Sequence, residues 1–129
     1  MKFRYTILYV DDVTKTIEFY ERAFGLQRKM IHESGDYGEL TTGETSLSFS
    51  SKTLMKQIGK APGDVDPSAP TFEIAFETEE VATNLKRALE AGATLVQDAE
   101  EMPWGQTTAY VRELNGFLVE LCTAVRPQS

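Results

Sequence analysis

Hydrophobic and polar positions along the chain follow two alternating periods, in an order that occurs twice. Tyr5 to Val10 alternates, with Tyr5, Ile7 and Tyr9 on one face and Thr6, Leu8 and Val10 on the other, which predicts a strand. Asp11 and Asp12 then offer helix-capping oxygens. Val13, Ile17, Tyr20 and Phe24 fall on one helical stripe, and Gly25 stands where a left-handed cap would end it. Leu26 to Glu33, Tyr37 to Thr42 and Thr45 to Ser50 read as three strands, separated by Ser34-Gly35-Asp36 and Gly43-Glu44. The turns are short, so the strands form an antiparallel meander.

The stretch 51–70 breaks the pattern, with Gly59, Pro62, Gly63, Pro67 and Pro70 in place of sustained alternation. Leu54 to Ile58 suffices for one helical turn. After it the order begins again. Thr71 to Glu77 is a strand with Phe72, Ile74 and Phe76 on one face and Glu73, Ala75 and Glu77 on the other. Thr78 is placed to cap a helix whose stripe is Val81, Leu85, Ala88 and Leu89, and Gly92 ends it. Ala93 to Asp98, Thr107 to Arg112 and Phe117 to Cys122 complete three more strands. The last two are joined by Leu114-Asn115-Gly116, a sequence that tolerates positive φ.

The chain thus predicts an α+β fold of two βαβββ modules in tandem: module one at 1–50, a connection at 51–70, module two at 71–124 and a loose tail at 125–129. Within the repeat, Ile7-Leu8-Tyr9-Val10 corresponds to Ile74-Ala75-Phe76-Glu77, and Ser46-Leu47-Ser48-Phe49 to Leu118-Val119-Glu120-Leu121. One helix covers one face of a four-stranded sheet. Two such units would therefore pair curved mixed sheets around a cleft.

Composition narrows the classes of function. Apolar residues make up 41% and charged residues 26% of the 129, as in ordinary globular domains, and no apolar run is long enough to span a membrane. The first residues enter a strand pattern at once, which leaves no room for a signal peptide and implies a cytoplasmic protein. One Cys, Cys122, cannot make an internal disulfide, and with a single His the chain has no Cys/His zinc set. A net charge of −7 disfavours nucleic acid as a partner and favours cationic ligands at long range.

One carboxylate stands against the pattern. Phe117, Val119 and Leu121 share one face of the last strand and Leu118, Glu120 and Cys122 the other, so Glu120 sits on an otherwise apolar strand. There it must be paired, protonated, hydrogen-bonded or metal-bound, or else lie at an exposed edge.

Tyr5-Thr6-Ile7-Leu8-Tyr9-Val10-Asp11-Asp12, Glu18-Phe19-Tyr20 with Phe24-Gly25-Leu26, Phe72-Glu73-Ile74-Ala75-Phe76 with Ala91-Gly92-Ala93, and Asn115-Gly116-Phe117-Leu118-Val119-Glu120-Leu121 occur in an order and spacing that resemble the vicinal oxygen chelate superfamily. That superfamily holds glyoxalase I, extradiol dioxygenases, and fosfomycin- and bleomycin-resistance proteins. The resemblance spans nearly the whole chain and implies homodimers in which sheets complete each cleft. It also implies a ligand set at Tyr5, Ser48, Glu73 and Glu120. Metal-dependent members use His or Glu at those places, so Tyr5 and Ser48 depart from the pattern, and neutral hydroxyls are poor ligands for a divalent ion.

The resemblance implies that Glu73 and Glu120 share a cleft, where they can act as an acid/base couple, hold a hydrated metal or face a cationic ligand, unless Arg4, Lys29 or Arg112 neutralises one of them. Tyr5, Tyr9, Tyr37, Trp104 and Tyr110 are candidates for an aromatic lining. Trp104 stands in a loop between Pro103 and Gly105, and Gln106 beside it can hydrogen-bond a ligand. His32 is the one imidazole, and a lone His on a strand is more often structural. Two readings follow. The first is a small-molecule-binding protein for a cationic or aromatic ligand, with no cofactor or a weakly held metal. The second is a glyoxalase-like lyase or dioxygenase-related enzyme using a divalent metal on Glu73 and Glu120.

Overall fold

A computed structural model describes residues 1–125. Apart from Val125, the expected loose tail lies outside the described residues. The chain forms two compact units, the first ending at Asp64 and the second beginning at Val65.

The first unit runs β1 (Tyr5–Val10), α1 (Val13–Phe24), β2 (Gln27–Ile31), β3 (Tyr37–Thr41), β4 (Ser46–Ser51) and α2 (Lys52–Gln57). Its sheet has the order β1-β4-β3-β2, with β1 and β4 parallel and the other pairs antiparallel. Local chemistry sets the limits of α1. The Asp12 carboxylate accepts from the Lys15 amide at 2.9 Å, and Gly25 takes φ 68 while its N–H bonds the Glu21 carbonyl. The buried stripe is wider than Val13, Ile17 and Tyr20, for it takes in Thr16, Phe19 and Ala23 as well. Phe19, Tyr20, Phe24 and Phe49 form an aromatic cluster with ring separations of 5.0–6.1 Å. The single expected turn at Leu54 to Ile58 is a longer helix, α2, because the Ser51 hydroxyl accepts from the Leu54 amide and starts it earlier.

The close approach of α1 to its sheet depends on Gly38. A Cβ there would lie 3.1 Å from Val13 Cγ1 and 3.3 Å from the Met30 carbonyl. Gly38→Ala is expected to cost about 1–3 kcal/mol by overpacking, read as a lowered midpoint in urea denaturation.

The second unit runs β5 (Glu73–Glu77), α3 (Val81–Glu90), β6 (Thr94–Glu101), β7 (Thr107–Arg112) and β8 (Leu118–Cys122), with sheet order β5-β8-β7-β6 and β5 parallel to β8. The architecture is α+β, with two four-stranded mixed sheets and no closed barrel among the described residues. Thr78 does not cap α3 directly. The cap residue is Glu80, and Thr78 sits two residues earlier, its hydroxyl accepting from the Glu80 amide and from Asn84 Nδ2, both at 3.0 Å. The turn after β7 is held by Glu113, 4% exposed, whose carboxylate accepts from the Asn115 and Phe117 amides, while Gly116 takes φ 93.

The registers correct half of the internal repeat. Ile7 pairs with Ser48, and Ala75 pairs with Glu120. With Ser48 and Glu120 equivalent, Ile7 therefore matches Ala75 rather than Ile74, and Leu8 matches Phe76. Chemical likeness between Ile7 and Ile74 favours the other alignment, but a one-residue slip exchanges the two faces of a strand. Leu8 is buried, whereas Ile7 is 43% exposed. No helix among the described residues is long and apolar enough to cross a membrane.

Candidate functional site

Strand alternation divides the side chains of the second unit. Val111, Val119 and Leu121 are buried, and the opposite side chains form a polar face. Register places Ala75, Glu120, Tyr110 and Gln97 in one row across β5, β8, β7 and β6, and Glu73 stands in the next row beside Leu118. The Tyr110 hydroxyl donates to Glu120 Oε2 at 2.5 Å.

That bond raises the Tyr110 pKa well above the usual tyrosine range, with burial and the charges of Glu120 and Glu73 adding to it. A phenolate there would face two carboxylates. Because the folded value lies above the unfolded one, the bond stabilises the fold below pH about 10 and is lost as pH rises through the folded value. Neither Glu73 nor Glu120 enters an ion pair among the described residues. Arg112, a candidate to neutralise them, donates its Nε to the Pro67 carbonyl at 3.0 Å, and Lys29 reaches Glu39 of the first unit instead. Cys122 is pushed up to about 11, by burial first and then by the charge of Glu120, so its thiol stays protonated at neutral pH.

Trp104, half exposed, donates Nε1 to Gln106 Oε1 at 2.8 Å, and Gln106 Nε2 donates to the Thr123 carbonyl at 2.9 Å. These bonds commit one end of the Gln106 amide to the loop before β7 and the other to the residue after β8. His32 is in a local turn, with Nδ1 2.8 Å from the Ser34 hydroxyl. Tyr5, 49% exposed, and Ser48, fully buried, belong to the sheet of the first unit.

Sequence reasoning did not single out Glu39, a carboxylate that shares a sheet face with Tyr37. It stands on β3 opposite Ser48, accepts from the Tyr37 hydroxyl at 2.9 Å, and has a side chain only 12% exposed. The signal was available, because alternation along Tyr37 to Thr42 puts Glu39 on the face of Tyr37, opposite Gly38 and Leu40. An open groove of about 420 Å³ runs along α3 past Leu85, Leu89 and Asp98, and neither Glu73 nor Glu120 lines it.

Two units of βαβββ order, each with a four-stranded mixed sheet, define a protein of the tandem-module, glyoxalase-type class. The chain belongs to the Glyoxalase/Bleomycin resistance protein/Dioxygenase superfamily, whose family model matches residues 2–121. It is 25% identical over 124 residues to YraH, an uncharacterized protein of Bacillus subtilis (strain 168), covering 94% of this chain and 97% of that one. Among solved structures it resembles a glyoxalase-related enzyme from Fulvimarina pelagi, with TM-score 0.79 and 20% identity over 95% of this chain and 88% of the other. It also resembles TioX from Micromonospora sp. ML1, with TM-score 0.72 and 21% identity over 95% and 98%. At these identities the structural likeness speaks for the fold alone.

The family is often metal-dependent, and the donors present here do not fit a tightly held divalent ion. No group of three His, Cys, Asp or Glu side chains converges among the described residues. Glu73 and Glu120 supply two carboxylates, and one Glu120 oxygen already accepts a hydrogen bond from the Tyr110 hydroxyl. Zinc sites take three or four protein ligands, and hard cations take about six oxygens.

Proposed function

We propose that this is a small-molecule-binding protein of the glyoxalase/bleomycin-resistance type that takes an organic cation with aromatic surface against the Glu73, Tyr110 and Glu120 face. The observation that carries this reading is a pair of carboxylates on one sheet face with no cation to pair them among the described residues. Tyr110 fixes the Glu120 carboxylate through one oxygen and leaves the other to accept from a ligand. Leu118 and the Tyr110 ring supply apolar area beside the charges, which suits a flat cation. The net charge of −7 adds long-range attraction.

Titration with proflavine, a planar aromatic cation, tests this by fluorescence polarisation of the dye. Saturable binding that weakens as salt rises, with fluorescein failing to bind, is the expected result. Equal binding of the anionic dye, or no saturation below millimolar protein, would overturn the reading.

A further inference from the structure

We infer that Asn115-Gly116 is a self-modification site, at which the asparagine side chain becomes a carboxylate when the turn between β7 and β8 opens, and that Glu113 keeps it unreacted while the turn is closed. This does not depend on the function proposed above.

The chemistry needs only the two residues and water. The Gly116 nitrogen attacks Asn115 Cγ and gives up its proton, the Cγ–Nδ2 bond breaks, and the side-chain nitrogen leaves as ammonia, which closes a five-membered imide. Water then opens the ring. Cleavage between the nitrogen and Cγ gives aspartate, and cleavage at the main-chain carbonyl gives isoaspartate, whose backbone runs through the former side chain. Each event consumes one water and releases one ammonia, with no change of oxidation state. Asparagine is thermolabile for this reason, and a following glycine leaves the attacking nitrogen unshielded. The fold requires that glycine. Gly116 takes φ 93, and a Cβ there would lie 2.9 Å from Pro67 Cγ.

The closed turn withholds the attacking nitrogen. Its N–H donates to the Glu113 carbonyl at 2.9 Å, which makes a four-residue turn with Leu114 and Asn115 at its centre. Among the described residues only glycines take a positive φ. That excludes every hydrogen-bonded turn type needing positive φ at Leu114 or Asn115, and leaves type I. Asn115 then has ψ of about 0°, whereas ring closure needs its Cα–Cβ bond nearly eclipsed with the Gly116 nitrogen. Reaction therefore waits for the turn to open.

Glu113 withholds the leaving group and keeps the turn shut. Its buried carboxylate accepts from the Asn115 amide through Oε1 and from Asn115 Nδ2 through Oε2, the latter at 3.1 Å. Oε1 also accepts from the Phe117 amide at 3.2 Å. One charged side chain thus ties the backbone of the turn and the nitrogen that must depart. The product cannot be held in the same way. A carboxylate at position 115 has no proton to donate to Oε2 and meets a like charge there, so the modified turn closes less firmly than the original.

Peptide mass spectrometry of the full chain at neutral pH tests this, by following replacement of the Asn115 amide by a hydroxyl in native wild type, native Glu113→Gln and urea-unfolded wild type. The unfolded chain is expected to accumulate aspartate and isoaspartate at position 115. Native wild type should do so at least roughly tenfold more slowly, the worth of hydrogen bonds to a charged group. Native Glu113→Gln should react roughly tenfold faster than native wild type. Equal rates in native and unfolded wild type, or no reaction in either, would overturn the inference. So would a folded Glu113→Gln that reacts no faster. If circular dichroism shows that variant to be unfolded, Asn115→Asp decides, since it carries the product's side chain. Its urea midpoint should fall below that of wild type at neutral pH, and the gap should narrow as acid protonates one carboxylate. A midpoint equal to that of wild type would also overturn the inference.

Discussion

Glu120→Gln is expected to lower proflavine affinity by roughly tenfold to a hundredfold and to bring the titration of Tyr110 down toward the ordinary tyrosine range. The amide keeps the size of the carboxylate and removes its charge. Neutralising one member of a partly desolvated charge pair costs about 1.5–3 kcal/mol in binding, which sets the expected fold-change. The tyrosine effect has an independent cause, because the hydrogen bond to Glu120 is the largest reason that Tyr110 holds its proton. With the carboxylate gone, phenolate no longer meets that charge, so the pKa falls. Absorbance at alkaline pH reads it directly against the four other tyrosines. An unchanged tyrosine titration would show that the Tyr110 to Glu120 bond does not govern this face, and unchanged affinity would remove Glu120 from the site.

Phe49→Ala is expected to cost about 3–5 kcal/mol of stability, measured by urea denaturation with the slope unchanged. Phe49 is fully buried on β4, its ring 5.0 Å from that of Tyr20, at the meeting of α1 with the central strands of the sheet. Removing the ring forfeits both its transfer free energy and its aromatic contacts. A loss below about 1.5 kcal/mol would mean that the cluster collapses into the space and that its packing is not the main support of the first unit.

Much of the candidate site was legible because strands alternate. Glu120 could be picked out as a carboxylate on a named face, and Glu73 through the family resemblance, before any pairing was known. Their relation to Tyr110 could not, since it depends on the β7 to β8 register that sets Tyr110 opposite Glu120. Glu39 was legible by the same rule, yet one acidic residue on a short polar strand looks like any solvated one until its burial is seen. The contact of Lys29 with Glu39 was not legible, because it depends on the irregular pairing of β2 with β3. Gln106 reads as a ligand contact from its loop, and tertiary structure adds bonds from its amide to Trp104 and Thr123 that no local pattern announces.

The sequence by itself determined the order of elements, the faces of each strand, the ends of α1 and the twofold repetition of βαβββ, since these follow from local period, caps and turn residues. Tertiary structure decided which strands are neighbours and with what register. That choice aligned β1 with β5 one residue away from the reading by likeness, buried Glu113 and Ser48, and joined Tyr110 to Glu120. The physical reason is that pairing and bulges are settled by long-range packing of one sheet face against its helix. No local window of residues contains that energy.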